Sequence, residues 1–177
     1  MSATIVRVVL MVLAFINFRD EEYRLPREML EKAGYRVVVA STRTGLATGM
    51  LGLKVPVEKL LEEVSAADFA GLILVGGSGT PVLYEHRKLQ ELVREFVSRK
   101  KPVGAVCLAP VILVRAGVLK SRKATVYAGA AGELKKAGVS YCPEPVVVDG
   151  LIVTADGPQS ASSFGQAFLQ LLSAPAR

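Results

Sequence analysis

A cysteine lies where one apolar segment passes into another. Cys107 follows residues 103–106, which predict a buried strand, and precedes Pro110 and an expected helix at residues 111–116. A thiol before a helix N-terminus is placed where the helix dipole and free backbone amides favour the thiolate, the nucleophilic form of cysteine. The segment therefore predicts a nucleophile elbow with Cys107 at its tip. A small buried apolar side chain without a chemical role is the alternative on these residues alone.

A glycine-rich loop follows another apolar run. Residues 72–75 are Leu-Ile-Leu-Val, and Gly76, Gly77, Ser78 and Gly79 come next. Glycines leave backbone amides unobstructed, so this loop could face an anion and form an oxyanion hole beside the thiol. A simple chain reversal and a phosphate-binding loop are the alternatives, although the spacing matches neither the Rossmann fingerprint nor a Walker loop.

Three acidic residues follow the first apolar run. Asp20, Glu21 and Glu22 lie where a first helix is expected to begin. Acids at a helix start ordinarily complement the helix dipole, and this role suits Asp20 and Glu21. One carboxyl could instead point at the thiol. Partial burial would then raise its pKa, so that it donates a hydrogen bond or moves a proton.

Apolar runs and amphipathic segments alternate along the chain. Runs rich in Val, Ile and Leu occupy residues 5–14, 35–40, 70–75, 102–106 and 146–154, and helical stripes occupy residues 23–33, 89–97 and 164–172. The alternation predicts one α/β domain over residues 1–177, with a mainly parallel, flavodoxin-like sheet sandwiched by helices. Asp149 and Gly150 predict the turn of a short antiparallel hairpin near the C-terminus.

The loops after the predicted strands are where chemistry is expected. Parallel α/β sheets bind ligands beyond the carboxyl ends of their strands. Those loops are residues 17–22, 76–80, 107–110 and 127–132.

Composition excludes several classes of protein. An apolar fraction of 51% and a charged fraction of 21% are typical of a folded globular chain. Two cysteines cannot form the framework of a small secreted domain and favour a cytoplasmic location. With His86 as the only histidine, they also predict no metal site, and no cofactor is expected. A single asparagine is a thermophile-like feature.

Nucleic acid and membrane partners are not expected either. The net charge of +6 comes from short basic groups without interleaved aromatics, which does not resemble a nucleic-acid surface. Residues 5–16 are too short to span a bilayer and are interrupted by Arg7.

Five motifs together resemble the ThiJ/PfpI superfamily, which has a class I glutamine amidotransferase-like fold and includes PfpI-type peptidases and the parkinsonism-associated deglycase. They cover nearly the whole chain in family-like order. They are the acidic loop at residues 17–23, the Gly-Gly-x-Gly loop at 76–79, the Ala-Val-Cys-x-Ala-Pro elbow at 105–110, the helix exit at 116–120 and the Val-Asp-Gly hairpin at 148–150.

The resemblance implies roles for individual residues. Cys107 would be the nucleophile, and Glu22 the protonated acid that contacts it, with Glu21 as the alternative if the helix register differs. The amides of Gly77 and Leu108 would form the oxyanion hole.

Three further positions take a meaning from the same resemblance. Gly76 would shape the glycine loop. Tyr127 falls where relatives place a histidine or an aromatic ring near the thiol. Asp156 lies in a loop that borders the active site in relatives, so a substrate contact there is an open possibility.

The resemblance implies a cysteine-dependent glyoxalase or deglycase that acts on small reactive aldehydes or glycated adducts. PfpI-type peptidases carry a histidine directly after the cysteine, so Leu108 disfavours a peptidase, and His86 is expected at the surface. A non-enzymatic redox sensor or chaperone that uses an oxidisable Cys107 is a further alternative, and a nucleotide-binding domain is the last. Relatives are commonly oligomers, which implies a homodimer or homohexamer.

Overall fold

A seven-stranded sheet forms the centre of this computed structural model, which describes residues 7–174. The elements follow one another as β1 (Val8–Val12), β2 (Ile16–Phe18), α1 (Asp20–Lys32), β3 (Arg36–Ser41), β4 (Gly45–Gly49), β5 (Lys54–Val57), β6 (Lys59–Leu60), β7 (Gly71–Leu74), α2 (Arg87–Ser98), β8 (Val103–Val106), α3 (Pro110–Arg115), β9 (Lys123–Ala124), α4 (Ala131–Lys136), β10 (Ser140–Tyr141), β11 (Val146–Asp149), β12 (Ile152–Ala155) and α5 (Ala161–Ser173).

The strands of the large sheet lie in the order β11-β12-β8-β7-β1-β3-β6. All neighbours pair in parallel except β11 and β12, which form an antiparallel hairpin. The carboxyl ends of β1, β7, β8 and β12 therefore meet at one edge of the sheet. This arrangement confirms the predicted α/β class and the predicted hairpin. The first apolar run ends as a strand at Val12, and residues 5 and 6 lie outside the described part of the chain.

Two apolar cores cover the two faces of the sheet. α1 and α5 pack against each other over one face, where Leu30, Phe164 and Phe168 are buried. α2, α3 and α4 cover the other face with side chains such as Leu92 and Ile112. Continuous apolar strands are required here because both faces of each central strand are buried.

A small three-stranded sheet was not predicted. β2 pairs with β4, and β4 forms a hairpin with β5. The sequence of β4, Gly-Leu-Ala-Thr-Gly, contains two glycines, a single β-branched residue and no aromatic one, so it gives little sign of a strand. Its position is set by tertiary contacts instead, since buried Asp20 accepts the amides of Leu51 and Leu53 at 3.0 and 2.9 Å.

Candidate active site

Cys107 lies at a strained turn directly after β8. Its φ is +63°, a left-handed conformation that costs a residue with a side chain about 1–2 kcal/mol. The Cys107 amide donates to the carbonyl of Ala155 at 2.9 Å, and the Cys107 carbonyl accepts the amide of Tyr127 at 2.8 Å. These two bonds anchor the turn to β12 and to the segment after β9. The half-buried thiol is therefore held in one place, with the backbone strain predicted for a nucleophile elbow.

Glu22, and not Glu21, lies against this thiol. Glu22 is completely buried on the inner side of α1. Glu21 is one residue away and on a different side of the helix, where the guanidinium of Arg19 binds it at 2.7 Å. The helix register therefore resolves the choice that the sequence left open.

The carboxyl of Glu22 is poorly solvated. Within residues 7–174, neither of its oxygens has a well-aligned hydrogen-bond partner. The thiol of Cys107 and the amide of Gly76 nevertheless lie close to the carboxyl and act to lower its pKa. Burial outweighs both and raises the pKa of Glu22 from 4.5 to about 8. At neutral pH this carboxyl is mostly protonated, as expected for the acid beside the cysteine.

The pKa of the Cys107 thiol differs from the sequence prediction. Burial, followed by the charge of Glu22, raises the pKa of Cys107 to about 12, whereas the amides of Gly77 and Leu108 lower it. The expected lowering by a helix N-terminus is wrong because the sulfur is partly desolvated and α3, only six residues long, begins three residues further on. Repulsion from Glu22 exists only while that carboxyl is ionised. The two groups therefore titrate as a pair that carries at most one negative charge at neutral pH.

The glycine loop packs closely against Cys107 and Glu22. A Cβ atom on Gly76 would lie 2.7 Å from Cys107 Cβ, and nearer still to Glu22 Oε1 and the carbonyl of Val106. The next residue, Gly77, has a φ of +121° and directs its amide at the sulfur, as Leu108 also does. The carbonyl of Gly76 accepts the amide of Arg19 at 2.8 Å, which ties this loop to the start of α1. Glycine is therefore needed here for close approach as well as for chain reversal.

Of the other residues considered in the sequence, Tyr127 lies next to the thiol, and the rest have contacts of their own. Tyr127 adjoins Cys107 through its backbone, and the residue is 51% exposed. Asp156 accepts a hydrogen bond from the hydroxyl of Ser160 at 2.6 Å.

His86 is not a free surface side chain, because its Nδ1 accepts the amide of Leu89 at the start of α2 and its Nε2 faces Glu62 at 3.4 Å. The thiol of Cys142 donates to the carbonyl of Ser140 at 3.6 Å.

Tyr84 is a neighbour of the site that sequence reasoning missed. Its hydroxyl donates to the carbonyl of Leu108 at 3.3 Å, and burial followed by the nearby Cys107 raises its pKa to about 12. Arg115 lies 5.8 Å from the Tyr84 ring centre and pairs with Glu85 and Glu133. No local motif marks Tyr84, since it belongs to a turn before α2 that only the fold brings to the elbow.

Within residues 7–174, no three His, Cys, Asp or Glu side chains cluster closely enough to hold a metal ion. Among the helices of the same segment, none has the length and apolar character needed to cross a bilayer.

Comparison with known proteins identifies the family and several relatives of this chain. The chain matches the DJ-1/PfpI family over residues 7–171. It is 47% identical over 167 residues to the protein MJ0967 of Methanocaldococcus jannaschii, covering 93% of this chain and 82% of that one. It is 35% identical over 156 residues to the deglycase PfpI of Pyrococcus furiosus, covering 88% and 94% of the two chains.

A solved structure shows the same fold. The ThiJ/PfpI domain protein from Brachyspira murdochii superposes with a TM-score of 0.94 at 32% identity, covering 97% of this chain and 99% of that one. The sheet order, the elbow cysteine and the match along nearly the whole chain lead to one conclusion. This chain belongs to the DJ-1/PfpI family.

Proposed function

We propose that this protein is a cysteine-dependent enzyme of the glyoxalase or deglycase type, acting on small reactive aldehydes or their adducts. One observation carries the proposal. A buried, largely protonated carboxyl lies beside the thiol of Cys107, and two backbone amides point at the same sulfur. Such a site can form a carbon–sulfur bond, move a proton and stabilise a developing oxyanion. The deglycase name of the Pyrococcus furiosus relative supports this class of reaction.

The first step would join the substrate to the enzyme. The sulfur of Cys107 attacks the aldehyde carbon while protonated Glu22 donates its proton to the carbonyl oxygen and takes the thiol proton in exchange. The product is a neutral hemithioacetal. The amides of Gly77 and Leu108 would bind the oxygen while its negative charge develops.

The second step would rearrange the adduct without an external oxidant. With methylglyoxal, the ionised form of Glu22 removes the proton from the former aldehyde carbon and returns it to the adjacent ketone carbon, while the proton of the adduct's hydroxyl group passes to the ketone oxygen. The first carbon is oxidised as the second is reduced, and a hydroxy thioester results. Water then breaks the carbon–sulfur bond, which releases lactate and restores the thiol of Cys107.

The test is lactate formation from methylglyoxal by the wild type and by three variants. We expect Cys107→Ser to abolish turnover and Glu22→Gln to lower it by at least about 100-fold, the usual contribution of a positioned acid–base group. Cys142→Ser, which removes the other thiol, should behave as wild type. Full turnover by Cys107→Ser would show that the proposed mechanism is wrong.

A redox sensor is the second candidate because Cys107 is a half-buried thiol surrounded by groups that could stabilise an oxidised sulfur. It predicts that mild peroxide oxidises Cys107 before Cys142, as measured by mass spectrometry of each residue. Equal oxidation of the two would count against it. A Cys–His peptidase has less support, since His86 is engaged at the start of α2. The homodimer or homohexamer, and the cytoplasmic location, stay predictions.

A further inference from the structure

A cavity of about 800 Å³ opens at the edge of the sheet opposite to Cys107. Four of its lining residues, Arg7, Ala70, Pro102 and Leu151, come directly before the strands β1, β7, β8 and β12. Cys107 lies instead at the carboxyl end of β8. The cavity is therefore separated from the candidate active site by the length of the sheet, and the proposed reaction does not use it.

The walls of the cavity combine apolar surface with positive charge. Leu171 and Leu172 of α5 add to the apolar lining, and Arg99, Lys100 and Lys101 add to the basic rim. No aspartate or glutamate is among the lining residues of the described chain. A volume in this range suits a small molecule.

The basic residues differ in how far they are already engaged. Lys101 donates to the carbonyl of Ala66 at 2.6 Å, and Arg7 donates to the carbonyl of Leu172 at 3.2 Å. Arg99 and Lys100 form no ion pair within residues 7–174. These two side chains are therefore available to a ligand.

The local charge is not balanced by the protein. Burial and the neighbouring Arg99 lower the pKa of Lys101, and Asp68 only partly opposes them. An anion in the cavity would relieve this repulsion between cations.

Lys100 occupies a backbone position that ordinarily belongs to glycine. α2 ends in a Schellman motif, in which the amide of Lys100 donates to Val97 and that of Lys101 to Phe96, both at 3.0 Å. Lys100 takes the left-handed position of this motif, with a φ of +55°. The three other helices that end this way use glycine at a positive φ: Gly34 after α1, Gly117 after α3 and Gly138 after α4. The chain thus keeps a lysine at the cavity rim although glycine would be less strained there.

We propose that this cavity binds a small amphipathic organic anion, whose apolar body contacts Leu151 and Leu172 and whose carboxylate head is held by Arg99 and Lys100. The position at the opposite edge from Cys107 makes it a site for an effector and not for the substrate of the proposed reaction.

Octanoate is the probe, and titration calorimetry on the wild type, Lys100→Gly and Ser121→Gly is the measurement. Ser121 also has a positive φ, of +65°, and does not line the cavity, so its glycine variant relieves the same kind of strain without removing a cation from the rim. We expect Lys100→Gly to weaken octanoate binding about fivefold, and Ser121→Gly to leave it unchanged. Both variants should melt at a higher temperature than the wild type. That result would show that weaker octanoate binding does not come from a loss of folding.

Two further measurements distinguish octanoate bound in this cavity from octanoate bound at Cys107 or held by apolar contact alone. Raising sodium chloride from about 50 to about 300 mM should weaken octanoate binding, because the head group is held by exposed cations. Protein alkylated at Cys107 with iodoacetamide should bind octanoate as well as untreated protein. Equal binding by Lys100→Gly and wild type, or loss of binding after alkylation of Cys107, would overturn the proposal.

Discussion

Replacing Glu22 by glutamine should make the protein more stable at alkaline pH, although the replaced residue belongs to the proposed active site. Glutamine keeps the size of the side chain and removes only its ability to ionise. Glu22 is completely buried, so wild-type protein must hold a charged carboxylate away from water once the pH passes the pKa of about 8.

The size of the effect follows from the pKa of Glu22 in the folded and unfolded chains. The folded value is about 8, and the ordinary value is 4.5. The folded protein therefore binds more protons than the unfolded chain between these two values, and the free energy of unfolding falls as the pH rises through that window. Each pH unit in the window is worth about 1.4 kcal/mol, so Glu22 should cost the folded protein about 4–5 kcal/mol by pH 9.

Urea denaturation of wild type and Glu22→Gln at a series of pH values from 5 to 9 tests this reasoning. At pH 5 the side chain at position 22 is neutral in both folded proteins, and their free energies of unfolding should agree within about 1 kcal/mol. At pH 9 the variant should be the more stable by about 4 kcal/mol. Because other titrating groups are common to both proteins, they cancel in the difference.

Glu21→Gln provides the matched control. Glu21 is partly exposed, and its hydrogen bond to Arg19 lowers its pKa. Its replacement should therefore give no gain in stability at high pH. Parallel stability curves for the wild type and Glu22→Gln from pH 5 to 9 would refute a strongly raised pKa of Glu22.

Three other changes test the packing of the glycine loop, the backbone strain at Cys107 and the contact that positions the hairpin of β4 and β5. Gly76→Ala should cost about 3 kcal/mol and stop alkylation of Cys107 by iodoacetamide, because the new methyl group meets the thiol and the carboxyl at once. Gly132→Ala, in an open helical position, should be neutral or stabilising, and equal behaviour of the two alanine variants would contradict the close packing. Cys107→Gly should be about 1 kcal/mol more stable than Cys107→Ala in urea denaturation, since glycine accepts the φ of +63°, and the reverse order would argue against that strain. For Asp20→Ala we expect a loss of about 3 kcal/mol in the same assay, because two backbone amides lose their acceptor, and a loss below about 0.5 kcal/mol would contradict that role.

Local patterns of the sequence were enough to predict the main sheet and the elbow. The apolar runs that became β1, β3, β7 and β8 lack polar alternation because both faces of these strands are covered by helices. Cys107 was identifiable because a strand, a cysteine and a proline-initiated helix follow one another along a few residues. Such signals are short-range, so the chain carries them before it folds.

Other features depended on contacts between distant segments. Glu21 and Glu22 are adjacent in sequence, and only the packing of α1 against the glycine loop places Glu22, and not Glu21, beside the thiol. The hairpin of β4 and β5 is positioned by buried Asp20, which lies more than twenty residues earlier in the chain.

The electrostatic state of the site was likewise a property of the fold. A cysteine before a helix predicts a lowered pKa, but desolvation and the buried carboxyl reverse the direction. The basic cavity arises in the same way, since Arg7, Ala70, Pro102 and Leu151 meet only when four parallel strands align their beginnings. The sequence by itself thus determined the main elements of the large sheet and the cysteine that we propose as the nucleophile. Burial and long-range neighbours, which exist only after folding, decided the protonation and the partners of that residue.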